Sequence, residues 1–168
     1  WDATFFNADV ENEIINIDDP ETNGLGTLAN APMTNHRGVE VGLDINLLPT
    51  GGGRLGKGLT LRNVYAYNDF TFIDAGAFGL DGARIGGVPE HVYRGELRYD
   101  ANSGWYAAAN VEVAAGDFFI DHVNEVSAPT YTLVGFSAGW RLNDNMEIFF
   151  SGENLTDETY AAGLTPLT

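Results

Sequence analysis

The chain has 168 residues, enough for one domain with a sizeable core, and its 24 acidic against 8 basic side chains give a formal net charge of −16. That balance argues against nucleic acid or an anionic lipid surface as partner, since both need a positive patch. Cysteine is absent, so disulfides and thiolate chemistry are excluded, and no apolar run approaches the ~18 residues of a helical membrane span. No charged-then-apolar leader opens the chain, which therefore reads as mature or as a fragment.

Period-2 alternation marks about seven strand-like segments. Residues 4–15 place Phe6, Ala8, Val10 and Ile14 on one face and Asn7, Asp9, Glu11 and Glu13 on the other. Residues 37–47 are the cleanest, with Val39, Val41, Leu43, Ile45 and Leu47 against Glu40, Asp44 and Asn46. Over 59–73, Leu59, Leu61, Tyr65 and Tyr67 align, and a bulge near Asn68-Asp69 would account for the change of phase at Phe70 and Phe72.

Residues 93–113 read as a hairpin closed by the polar run 100–104. Tyr93, Gly95, Leu97 and Tyr99 alternate with Arg94, Glu96 and Arg98, and after the turn Trp105, Ala107, Ala109, Val111 and Val113 alternate with Tyr106, Ala108, Asn110 and Glu112. Closure at that run sets Arg94 near Asn110 and Glu112 near Val92, leaving Arg94 and Glu112 as a diagonal pair. Residues 131–142 align Val134, Phe136, Ala138, Trp140 and Leu142, and 146–154 align Met146, Ile148 and Phe150.

The connections alternate in length: 16–34, 74–87 and 116–129 are long, while 48–57, 100–104 and 143–145 are short. The long ones hold Asp18, Asp19, Glu21, Asp117, Asp121 and Glu125 and should share one rim. The pattern predicts an all-β fold, an antiparallel up-and-down meander forming part of a transmembrane β-barrel. Strand length favours it over a sandwich, because membrane strands need about 9–11 residues and soluble ones usually about 5–6. Tyr99, Trp105 and Trp140 beside short turns match an interfacial girdle. The apolar rows then meet lipid, and Glu40, Asp44, Arg94, Glu96, Arg98 and Glu112 face a wet lumen. The competing reading is a soluble antiparallel β-sandwich with a carbohydrate-binding role, which would also keep the charged faces wet.

No catalytic constellation is found, and an outer-membrane enzyme barrel would need a clustered nucleophile or acid–base set. His36, His91 and His122 lie far apart without metal-ligand spacing, so no metal centre or cofactor is expected. "DPETNG" (19–24) and "GGGRLGKG" (51–58) read as turns rather than as a calcium loop and a phosphate cradle. Asn154-Leu155-Thr156 fits a glycosylation sequon that matters only in a glycosylating secretory route. Asp121 and His122 are candidates for ligand contact from an outer loop, with a solvated loop as the plainer reading.

Several segments, in order, resemble the C-terminal part of TonB-dependent outer-membrane receptors: "HRGVEVGLDINLLP", "LTLRNVYAYNDFTF", "IGGVPEHVYRGELRYDANSGWYAAANVEV", "APTYTLVGFSAGWRL" and "MEIFFSGENLTDETY". Within the last, Asn154, Leu155, Asp157 and Tyr160 resemble the family's Asn-Leu-x-Asp-x-x-Tyr signature on the next-to-last strand. "VPEHVYRGELRY" with its Ser-Gly-aromatic turn resembles the ferric-citrate-type branch of siderophore receptors. The resemblance implies that residues 1–168 are a fragment carrying about seven strands of a barrel of about 22, without the plug domain, the TonB box or the final strand. It implies an intact protein that imports a ferric siderophore or similar scarce ligand across the outer membrane. The implied partners are membrane lipid, that ligand, and the TonB–ExbB–ExbD complex acting through the missing plug. A sheet this narrow cannot close alone, so its edges would be unpaired.

Overall fold

A computed structural model describes residues 1–18, 26–48 and 58–161. Each strand pairs antiparallel with the next, in chain order: β1 (Asp2–Asp18), β2 (Gly26–Leu48), β3 (Gly58–Asp74), β4 (His91–Asp100), β5 (Trp105–Ala115), β6 (Tyr131–Asn143) and β7 (Met146–Gly152). Among the described residues the result is one seven-stranded meander, with a 3₁₀ turn at Gly76–Phe78. Among the described residues no second sheet covers either face, so the sandwich reading is overturned: its apolar rows would have nothing to pack against.

Register joins the apolar rows into one face. Ile45 lies opposite Leu61, Leu61 opposite Leu97, Leu97 opposite Ala109, and Ala109 opposite Phe136. Nearer the short turns, Tyr99 packs on Trp105 with ring centroids 5.1 Å apart, and Trp105 pairs with Trp140, itself opposite Ile148. Val41, Leu43, Ile45, Leu97, Phe136 and Ile148 are exposed on this face. Glu40, Asp44, Arg94, Glu96, Arg98 and Glu112 lie on the other, as period-2 geometry requires.

Several sequence expectations need correction. The long link expected at 16–34 is mostly ladder, since β1 and β2 pair up to Asp18↔Gly26. The extension is held because Ile15 and Ala31 reach a hydrophobic cluster at that end of the sheet. Asp19 and Glu21, the "DPETNG" stretch, residues 51–57 of the glycine-rich stretch and the closing "GLTPLT" lie outside the described residues.

The bulge expected at Asn68-Asp69 is not there, because Asn68 and Asp69 pair in unbroken register with Gly38 and Arg37. The irregularity falls higher, where Met33 pairs with Asp74 and Thr34 with Phe72, leaving Ile73 as the extra residue. Phe70 and Phe72 need no change of phase, since they continue the row of Thr60, Arg62, Val64 and Ala66. Phe6, Ala8 and Val10 also lie on that face, opposite Gly38, His36 and Thr34. Beyond them, the left-handed Asn12 (φ 57°) switches the phase of β1. Ile14 is therefore exposed while Ile15 is buried, and Glu13 turns to Thr34 and His36.

In the central hairpin, Arg94 lies directly opposite Glu112, and Glu96 opposite Asn110. The expected register was off by two positions because the turn is centred later, with Ala101 N–H donating to Trp105 O and Gly104 at φ 90°.

The antiparallel order puts connections 75–90 and 116–130 at the same end as the β1–β2 tip, and 101–104 and 144–145 at the opposite end. β4 ends its pairing at His91↔Tyr67, so the upper part of β3 has β2 on one side and no strand on the other. Residues 82–90 run along it instead, through Phe72 N to Ala83 O, Ile85 N to Phe70 O and Asn68 N to Glu90 O. Beneath them Ile15, Ala31, Phe72, Ala75 and Leu80 form the hydrophobic cluster, flanked by Ala29, Ala83 and Ile85.

Candidate functional site

The polar face carries a network of charges that crosses the strands. Arg62 Nη1 lies 3.3 Å from Glu96 Oε1, and Arg94 Nε donates to Glu112 Oε2 at 2.6 Å. The Tyr131 hydroxyl donates to the other Glu112 oxygen at 3.1 Å. Arg98 pairs within its own strand, donating to both Asp100 oxygens at 2.9 and 3.1 Å. Arg141 approaches Asp100 at 3.8 Å and Glu147 at 3.5 Å, and the Tyr106 hydroxyl donates to Glu147 at 2.6 Å.

Tyr106 is held between the two guanidinium groups, 4.2 Å from that of Arg98 and 5.0 Å from that of Arg141. The ring has room because its cross-strand partner is Gly139, where an added Cβ would come within 2.5 Å of it. Asn110 likewise lies over Gly135. The expected cross-strand pairing of Arg94 is therefore present, whereas Arg98 finds its carboxylate on the same strand. Sequence reading passed over Arg62, Tyr131, Arg141 and Glu147, and placed Tyr106 on the row of Glu112 without giving it a role. Their even or odd place on the same strand faces as Arg94 and Glu112 was the available signal.

A cavity of about 480 Å³ opens on this face, lined by Arg62, Arg94, Glu96, Glu112, Asn154 and Tyr160 among others. Its far wall is the stretch after β7. Asn154, at φ 50°, accepts from Glu158 N at 2.8 Å and donates to Glu158 O at 2.9 Å, closing a turn that contains Asp157 at φ 55°. Asn and Asp tolerate these left-handed positions better than other non-glycine residues. Leu155 N–H donates to Val134 O, and Tyr160 packs on Tyr131 with centroids 4.9 Å apart. Asn154, Leu155, Asp157 and Tyr160 thus sit just past the end of β7 and not on a strand as expected, with Asn154 and Tyr160 turned to the polar face and Leu155 packed by Gly152 and Phe150 on the other. Glu40 and Asp44 are exposed on the same face, Asp44 opposite Arg62.

Asp121 and His122 lie apart from this network, among the rim connections. Both are buried, so the solvated-loop reading gives way. Asp121 accepts from the backbone N–H groups of Glu125 and Val126. His122 Nδ1 accepts from Gly86 N–H at 3.1 Å, and its ring meets Phe72 edge-on at 5.3 Å. Burial holds the His122 imidazole below its ordinary range, partly offset by a hydrogen bond to the Asn16 backbone and by Asp121 and Glu13. His36 binds Glu13 at 2.9 Å, and His91 accepts or donates with the Tyr65 hydroxyl at 2.8 Å. Among the described residues no three His, Asp or Glu side chains converge as a metal site.

Residues 1–155 match the model of the TonB dependent receptor-like β-barrel family. The chain belongs to that family. Solved structures share the fold: the siderophore receptor PiuA from Acinetobacter baumannii (TM-score 0.69, 20% identity) covers 97% of this chain. The copper transporter OprC (0.71, 16%) and BauA, the ferric preacinetobactin receptor from Acinetobacter baumannii (0.58, 17%), each cover 98% of it. The chain spans only 23–24% of the length of these three proteins. It is therefore a wall segment of a TonB-dependent receptor barrel of the Gram-negative outer membrane. The family consists of receptors and transporters, not enzymes.

Proposed function

We propose that this segment forms part of the wall of a receptor that imports a ferric siderophore or similar scarce ligand, energised by TonB–ExbB–ExbD through a plug domain elsewhere in the protein. In this reading residues 1–168 are the C-terminal part of the barrel, Val39, Val41, Leu43 and Ile45 meet lipid, and Glu40, Asp44, Arg94, Glu96, Arg98 and Glu112 line the lumen. The observation that carries it is the asymmetry of the sheet: an exposed apolar face on one side and the Arg62–Glu96 and Arg94–Glu112 pairs on the other. Only a wall with lipid on one side and water on the other favours both faces at once, since charge at mid-membrane costs about 2–4 kcal/mol per Arg. Of the three similar structures one is a siderophore receptor and another a ferric preacinetobactin receptor by name, which supports the ligand class.

The test is uptake of radiolabelled ferric siderophores by iron-starved cells producing the protein, compared between strains with and without TonB. Accumulation that requires both the protein and TonB is expected. Uptake that is indifferent to TonB, or absent for every ferric complex while another solute is imported, would overturn the reading.

A further inference from the structure

The rim connections meet at a histidine that the proposed transport does not use. His122 is only 2% exposed, and three separate parts of the chain converge on it. The 75–90 connection contributes the Gly86 N–H, which donates to Nδ1 at 3.1 Å. β3 contributes Phe72, edge-on to the ring, and β1 contributes the Asn16 backbone. An imidazole that accepts at Nδ1 must be the neutral tautomer with its proton on Nε2. A second proton would go to Nδ1, where it would point at the Gly86 N–H, replacing a hydrogen bond by a donor–donor clash in a buried place.

We propose that His122 is a proton-released latch: neutral, it ties the 75–90 connection to the 116–130 connection, and on acidification the two part and open this rim of the barrel wall.

The charged groups around the latch are already engaged. Both Asp121 oxygens accept backbone N–H bonds, from Glu125 and Val126. Glu13 on β1 accepts from Thr34 Oγ1 and binds His36 of β2. Arg84, on the connection facing His122, is paired with Asp69 and Glu90. Asp121 and Glu13 attract an imidazolium, yet neither is free to take the Nδ1 proton, and burial outweighs them. The junction has other ties: Arg84 N–H to Asn124 Oδ1 at 2.7 Å, Asn124 Nδ2 to Arg84 O at 2.9 Å, Gly87 N to Phe119 O and Glu90 N to Asp117 O. None of these changes its donor or acceptor character between pH 5.5 and 7.5 (the window used below, above ordinary carboxylate values of about 4). The latch therefore biases an opening that they limit.

The sign follows from linkage. A histidine depressed in the folded loops binds its proton more readily once they open, so closure is fully favoured above about pH 6.5 and loses ground as pH falls toward the folded value.

Hydrogen–deuterium exchange on the full protein in outer-membrane vesicles tests this, read on peptides from 75–90 and 116–130 and corrected for the intrinsic pH dependence of exchange. Opening should rise by up to about tenfold per pH unit below about 6.5, with uptake of one proton. His122→Asn keeps an acceptor for Gly86 at every pH and should abolish the rise. The double variant His36→Gln/His91→Gln leaves His122 as the last of the chain's three histidines and should keep it. Equal opening at pH 5.5 and 7.5 in the unaltered protein would overturn the proposal. So would a rise that persists in His122→Asn or vanishes in the double variant. Should His122→Asn fail to assemble, His122→Gln, which likewise cannot gain a proton in this range, is read in its place and should also abolish the rise. Because no ligand or TonB enters the measurement, its outcome is separate from that of the uptake test.

Discussion

Below the level of Tyr67 and His91 the polar face of the sheet carries a lattice of ion pairs and tyrosines, and among the described residues no hydrophobic cluster lies behind it. Above that level the same side of the same strands carries Phe6, Phe70, Phe72, Ile15 and Ala31, and folded connections cover it. The two regions differ in what faces them. The lower wall is proposed to have lipid outside and water inside, so its stability comes from strand pairing and from keeping apolar side chains outward. The rim is proposed to have water outside, so the side chains of its hydrophobic cluster turn inward and need a cover, which residues 75–90 and 116–130 supply. Outside, the rim carries polar pairs instead: Arg37 donates to Asp69 at 2.7 Å, and Asn35 to Asn7 and Asp9. One sheet thus reverses its polarity along its length.

The sharpest way to break the comparison is Phe72→Ala. The side chain is 1% exposed at the centre of the rim cluster, and truncation should cost about 3–5 kcal/mol locally. Exchange protection should fall in 75–90 and 116–130 and remain in the lower strands; uniform loss would mean that rim and wall are one cooperative unit.

Next is the pair Leu97→Arg and Arg98→Leu, adjacent residues on opposite faces of β4. The first places a charge in the proposed lipid face and should block insertion, at about 2–4 kcal/mol. The second should barely change folding. Equal insertion of the two into bilayers, followed by heat-modifiable gel mobility, would show that the faces are reversed.

A smaller effect is expected for Gly139→Ala, whose new methyl displaces Tyr106 from between Arg98 and Arg141 at about 1–3 kcal/mol, with no change at the rim. Chemical denaturation in micelles would read it, and a loss equal to that of Phe72→Ala would contradict the difference drawn between the regions.

Smallest is the Arg94–Glu112 pair. Its members are 62% and 29% exposed, so a double-mutant cycle with alanine should give a coupling of about 0.2–1 kcal/mol. A larger value would mean that the pairs on the polar face stabilise the wall as well as keep it polar.

Much of the lower wall was legible in the chain itself. Unbroken alternation over Val39–Leu47 and across Leu97–Ala109 determines which side chains share a face, because period-2 geometry leaves no other arrangement for an extended strand. Long strands likewise pointed to the meander, whereas connection length did so only at 75–90 and 116–130, since the link expected at 16–34 is mostly ladder. Register was another matter: two positions in a turn decided whether Arg94 meets Asn110 or Glu112, and turn geometry depends on a few backbone angles that composition does not set. The rim was the least legible. The exposure of Ile14 and burial of Ile15 turn on one left-handed residue, Asn12, and the inward Phe70 and Phe72 read as a phase error until their cover is known. His122 looked like a solvated loop residue because its partners, Gly86, Phe72 and Asn16, are distant along the chain. Alternation is a local property and is written in the sequence; burial is a property of what arrives from elsewhere, and only the packed loops decide it.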